Sequence, residues 1–122
     1  MTGITAVFEK RFFKNKLDEI GMHLHSMSVY VSNDNKESFL KTYDLIKECF
    51  RKHFHEEEKE FLSESNKLNY YHKIVHKIFN MDLIRYEKSL HDSNNARMQI
   101  LVKIQNWYLN HLKDFDSKLN QN

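Results

Sequence analysis

The stretch YYHKIVHKIF, residues 70–79, sets His72 and His76 four residues apart among apolar neighbours. Four residues is about one turn of an α-helix, so both imidazoles project from one face of a helical segment. A buried imidazole costs free energy unless a hydrogen bond or a metal satisfies it. One such pair is compatible with hydrogen-bonded core histidines. Its meaning depends on what the rest of the chain brings to it.

The 122 residues are the size of one domain and long enough to bury a real core. Proline is absent, and the only glycines are Gly3 and Gly21. A β-sandwich or barrel would need more of both for its turns, so a few long helices with polar connections are expected. Basic and acidic residues number 19 and 17 and alternate along the chain. No basic block marks a nucleic-acid footprint. Cys49 is the sole cysteine, which excludes an internal disulfide and reads as a small core residue. No segment reaches the roughly 20 apolar residues of a membrane span, and the start, MTGITAVFEKRFF, lacks a secretory apolar core. A cytoplasmic protein without membrane attachment is expected.

Working outward from residues 70–79, helical periodicity recurs in four blocks, about 7–31, 36–63, 67–90 and 96–119. The first carries Phe13, Leu17, Ile20, Leu24, Met27 and Val31. The second carries Phe39, Tyr43, Ile46, Phe50, His53 and Glu57. The third carries Leu68, His72, Val75, His76 and Phe79. The fourth carries Leu101, Ile104, Tyr108, His111 and Phe115. SNDN (32–35) is turn chemistry, and SESNK (63–67) and HDSNN (91–95) break the pattern, with Ser65 or Asn66 as the cap of the third helix. The expected fold is all-α, an up-down-up-down four-helix bundle with a metal site in its core.

The polar residues inside these stripes are the informative ones. His53 and Glu57 share a face at i and i+4, as do His72 and His76. His111 is followed five residues on by Asp116, and MHLHS (22–26) offers His23 and His25. Each alone has an ordinary explanation, His53–Glu57 as a helix-surface pair. Together they would bury ionisable groups on four helices without compensation, and metal removes that cost. Imidazole and carboxylate suit iron, and the donors are too many for one tetrahedral zinc ion.

The order is a helix-one histidine, then HxxxE, HxxxH and HxxxxD. HFHEEE (53–58) and WYLNHLKDFD (107–116) add further matching detail. This pattern resembles the hemerythrin family, in particular its single-domain bacterial type, over about residues 17–119. The resemblance implies a non-haem di-iron centre with an oxo or hydroxo bridge and bridging carboxylates from Glu57 and Asp116. It implies His53, His72, His76, His111 and a helix-one histidine as the remaining ligands. Leu24 takes the centre of the helix-one stripe, and His23 and His25 lie about 100° to either side. The stripe lies closer to His23, and His25 is the alternative. Phe54, Trp107 and Leu112 match positions that line the family's dioxygen pocket; plain core packing is the other reading for each. Ser26 stands where the family has leucine if His23 is the ligand.

The function this implies is reversible dioxygen binding for storage, delivery or sensing. The alternative is a di-iron redox enzyme acting on peroxide, nitric oxide or dioxygen. A histidine-rich, carboxylate-poor site favours the binding protein over the enzyme. A helical interaction module without metal is a third reading, and it leaves the buried histidines unexplained. The expected partner is dioxygen, on a monomer or small homo-oligomer.

Overall fold

The computed structural model describes residues 19–60 and 66–120, with side chains over 19–59 and 70–111. The described residues form four α-helices: α1 (Glu19–Ser32), α2 (Lys36–Glu60), α3 (Asn66–Tyr86) and α4 (Asn94–Asn120). A 3₁₀ turn, Ser89–His91, joins the last two, and no strand occurs among the described residues. The helices pack as a bundle around one apolar core. No helix among the described residues is long and apolar enough to cross a membrane.

The turn residues read from the sequence act as caps. Asp34 takes a left-handed φ of 52°, which a short polar side chain tolerates. Asn35 Oδ1 then accepts a hydrogen bond from the Ser38 amide at 3.1 Å, capping α2. This tight turn sends α2 back along α1. Ser93 Oγ accepts from the Ala96 amide at 3.0 Å, so α4 begins at Asn94 rather than near Ala96. The third helix ends at Tyr86, not near Leu90. Beyond Tyr86 the backbone tightens to i→i−3 bonds, from Glu87 to Ile84 and from Leu90 to Glu87. The expected beginning of helix one near residue 7 and the end of helix two near residue 63 lie outside the described residues.

Apolar stripes from all four helices meet in the core. Leu24, Met27, Phe39, Ile46, Phe50 and Ile104 are fully buried. Val75, expected in the third stripe, and Cys49, expected as a small core residue, are only half buried. On α2 the buried series runs Phe50, Phe54, Glu57. It passes through Phe54, and His53, about 100° away around the helix, is half buried.

At the end of the bundle that holds the α1–α2 turn, polar bonds tie separate connections together. Arg97 is 4% exposed. Its Nη1 donates to the Leu90 carbonyl at 2.9 Å and its Nη2 to Asp34 Oδ1 at 3.4 Å. Asn94 Nδ2 donates to the Val31 carbonyl at 3.0 Å. Arg97→Ala leaves that Leu90 carbonyl buried without its donor. It is expected to cost about 1–3 kcal/mol, read as a lower urea midpoint with an unchanged m-value.

Candidate metal centre

Four side chains from three helices converge in the core. Glu57 comes from α2, His72 and His76 from α3, and His111 from α4. Their exposures lie between 2% and 6%, which is far from ordinary for ionisable groups. Each offers one ligand atom, and these atoms lie within 4.8 Å of one another.

Glu57 is the centre of the group. His111 Nε2–H donates to both carboxylate oxygens, at 2.8 and 3.0 Å. His76 Nε2 lies 3.2 Å from Glu57 Oε1, and His72 Nε2 lies 3.9 Å from the same oxygen. The approach of His76 lacks hydrogen-bond alignment, so its Nε2 is a buried polar atom with no hydrogen bond among the described residues. Burial opposes ionisation of Glu57, but the hydrogen bond from His111 and the close imidazoles of His72 and His76 outweigh it and hold the carboxyl well below the usual carboxylate range. One carboxylate and three neutral imidazoles carry a single negative charge. That donor set fits a divalent ion of borderline softness such as zinc or iron. Only modest side-chain movement separates these positions from metal-bonding distances.

The surroundings fix the rings. Phe54 stacks on His76 with ring centres 3.9 Å apart and planes 7° from parallel. Trp107 stacks on His111 at 4.7 Å and 13°. Phe79 stacks on the other side of this assembly, 3.8 Å from Trp107. Glu58 Oε2 lies 2.9 Å from His76 Nδ1. A proton held on Nδ1 by that carboxylate leaves the Nε2 lone pair aimed into the cluster, the usual outer support of a metal-binding histidine.

Neither Glu58 nor Phe79 is assigned to the site by the sequence pattern. The available signal for Glu58 was its place one residue after Glu57, beside the same helical seam. Glu58→Ala removes the Nδ1 acceptor but no ligand. It is expected to weaken metal binding roughly 10–100-fold, measured by competitive titration against a chromophoric chelator.

Glu57, His72, His76 and His111 are thus brought together, with Phe54 and Trp107 beside them. His53 is half buried and outside this group. His23 is half buried near Glu19 and Cys49 instead, and His25 is exposed. The cause is axial height. His23 stands roughly three helical turns before the α1–α2 turn, whereas Glu57 stands roughly six turns after it. Packing of α1 back along α2 therefore keeps His23 in the turn-proximal half of α2, where its side chain meets Cys49, eight residues or about 12 Å along α2 short of Glu57. Ser26 is half buried on α1, about one turn nearer the α1–α2 turn than His23. Asp116 and Leu112 belong to α4, and their side chains lie outside the described residues.

Comparison with models of known families, with curated proteins and with solved structures finds no match to the chain.

Proposed function

We propose that the chain is a dioxygen-binding protein of hemerythrin type, an up-down-up-down bundle that holds iron at Glu57, His72, His76 and His111. The supporting observation is the convergence of three buried imidazoles on one buried carboxylate, with His76 Nε2 lacking a hydrogen bond. The motif order HxxxE, HxxxH, HxxxxD resembles that of hemerythrins, and this resemblance is what implies iron as the metal and dioxygen as the ligand. Ferrous iron at this position supplies the electrons that dioxygen binding draws on.

The chain's own residues do the rest. The imidazoles of His72, His76 and His111 and the Glu57 carboxylate bind the ion. Glu58 keeps the His76 proton on Nδ1, away from the ion. Phe54 and Trp107 hold the rings and keep bulk water out, which favours reversible binding over hydrolytic loss. A pair of irons also needs His53, which must turn inward, and Asp116. A second reading, one ion per chain, is favoured by a specific observation: the four clustered donors complete a tetrahedral ion by themselves.

Anaerobic ferrous loading tests both readings, with iron counted per chain and visible spectra taken under argon, in air and under argon again. Two irons and a colour that appears in air and fades under argon are expected. One iron per chain selects the single-ion centre. Iron that oxidises without return replaces dioxygen carriage with a redox role. Failure to take up iron overturns the proposal.

A further inference from the structure

A second set of donors lies apart from the core cluster. Glu19 and His23 are four residues apart on α1 and share a face. Cys49 reaches them from α2, and the carboxylate, imidazole and sulfur atoms lie within 4.8 Å of one another. His23 and Cys49 are half buried and Glu19 is exposed. His23 makes no hydrogen bond or ion pair with another described residue. The packing of α1 on α2 therefore leaves a half-buried imidazole without such a bond beside the only thiol of the chain.

We propose that Glu19, His23 and Cys49 bind a zinc-class divalent cation that clips α1 to α2. The donor types select the ion. Thiolate and imidazole disfavour calcium and magnesium, which take oxygen donors. Zinc accepts sulfur, nitrogen and carboxylate oxygen together, and three protein donors leave its fourth position to water. Bonds of about 2.0–2.3 Å place tetrahedral ligand atoms roughly 3.3–3.8 Å apart. Rotamer adjustment of the exposed Glu19 and the half-buried His23 closes the present spacing to that value. The exposed side of Glu19 gives the ion a path from solvent. Binding turns the Cys49 thiol into a thiolate and releases its proton to water. The site shares no ligand with the core cluster, so it does not depend on the iron reading.

Cobalt(II) is the probe, because only a thiolate ligand gives a sulfur-to-cobalt charge-transfer band, and Cys49 is the single cysteine. Titration of the reduced 122-residue chain with cobalt in excess of the core cluster is expected to produce that band, saturable and bleached by added zinc. Cys49→Ser is expected to abolish it. His23→Ala and Glu19→Ala each lose a ligand, so each is expected to weaken it by no less than the roughly 10–100-fold typical of an outer-sphere change. Glu57→Gln, which impairs only the core cluster, leaves the band in place. Cobalt bound without the band overturns the proposal. So does a band of unchanged affinity in both His23→Ala and Glu19→Ala, which would mark an isolated thiol.

Discussion

Glu57→Ala is expected to abolish metal uptake by the core cluster while the chain stays helical. Glu57 is the only carboxylate in that group and meets His111 through both oxygens. Without it, three neutral imidazoles face each other in a core with no charge to balance a dication. Loss of a buried acceptor also leaves the His111 Nε2–H unpaired, at about 1–3 kcal/mol of metal-free stability. Glu57→Gln separates the two effects, since the amide oxygen still accepts while the charge is gone. Its metal affinity falls sharply and its metal-free stability less so. The pH dependence follows from the lowered carboxyl value. The ionised group stabilises the fold above the ordinary Glu value of about 4.3 and loses that effect as pH falls through the lower folded value. Wild type therefore shows this acid sensitivity and Glu57→Gln lacks it. Equilibrium dialysis with ferrous iron or zinc, beside far-ultraviolet circular dichroism, checks the main result. Retained stoichiometric binding in Glu57→Ala would remove this cluster as the metal centre.

Phe50→Ala is expected to cost about 3–5 kcal/mol of folding stability. Phe50 is fully buried. Its ring meets Phe79 edge-on at 4.9 Å, Phe54 at 5.5 Å, Tyr108 at 5.6 Å and Trp107 at 6.2 Å. Three of these rings stack on one another or on the clustered histidines. The cavity left by the substitution therefore lies directly behind the supports of His76 and His111. Metal affinity should fall along with stability, although no ligand is touched. Phe50→Met, closer in volume and able to adapt its shape, should lose less of both. Chemical denaturation of the metal-free variants gives the first quantity, and chelator competition gives the second. A loss below about 1 kcal/mol would mean that the aromatic layer relaxes freely.

Angular information is legible in this sequence, and axial information much less so. Spacings of three and four residues identify the buried faces and put His72, His76, Glu57 and His111 on them. SNDN and HDSNN mark the breaks between helices, while the caps within them, Asn35 and Ser93, emerge from the structure. One turn of α2 misleads, because both His53 and Phe54 continue the series from Phe50, and the larger apolar ring takes the core position. Periodicity says nothing of the height at which one helix meets its neighbour. That height is fixed by the α1–α2 turn, and counting residues from SNDN toward His23 and toward Glu57 reveals their mismatch. The role of Glu58 depends on contact across to α3, which no local pattern encodes. The aromatic stacking is equally hidden, since Phe54, Phe79 and Trp107 come from three different helices.

The distribution of polar ties gives the bundle two unlike ends. Arg97 and Asn94 bind the α1–α2 turn and the α3–α4 connection through side chains and carbonyls that need no ion. At the level of Glu57, the ties across α2, α3 and α4 are the very groups that a metal recruits. Amide hydrogen exchange should therefore form a gradient in the metal-free chain, slow around Ile100 and Leu83 and faster toward His72 and His111. Metal should erase the gradient from one side only. The bundle then acts as a hinge with a permanent pin and a removable latch, and occupancy of the site is reported as the breathing of a single end.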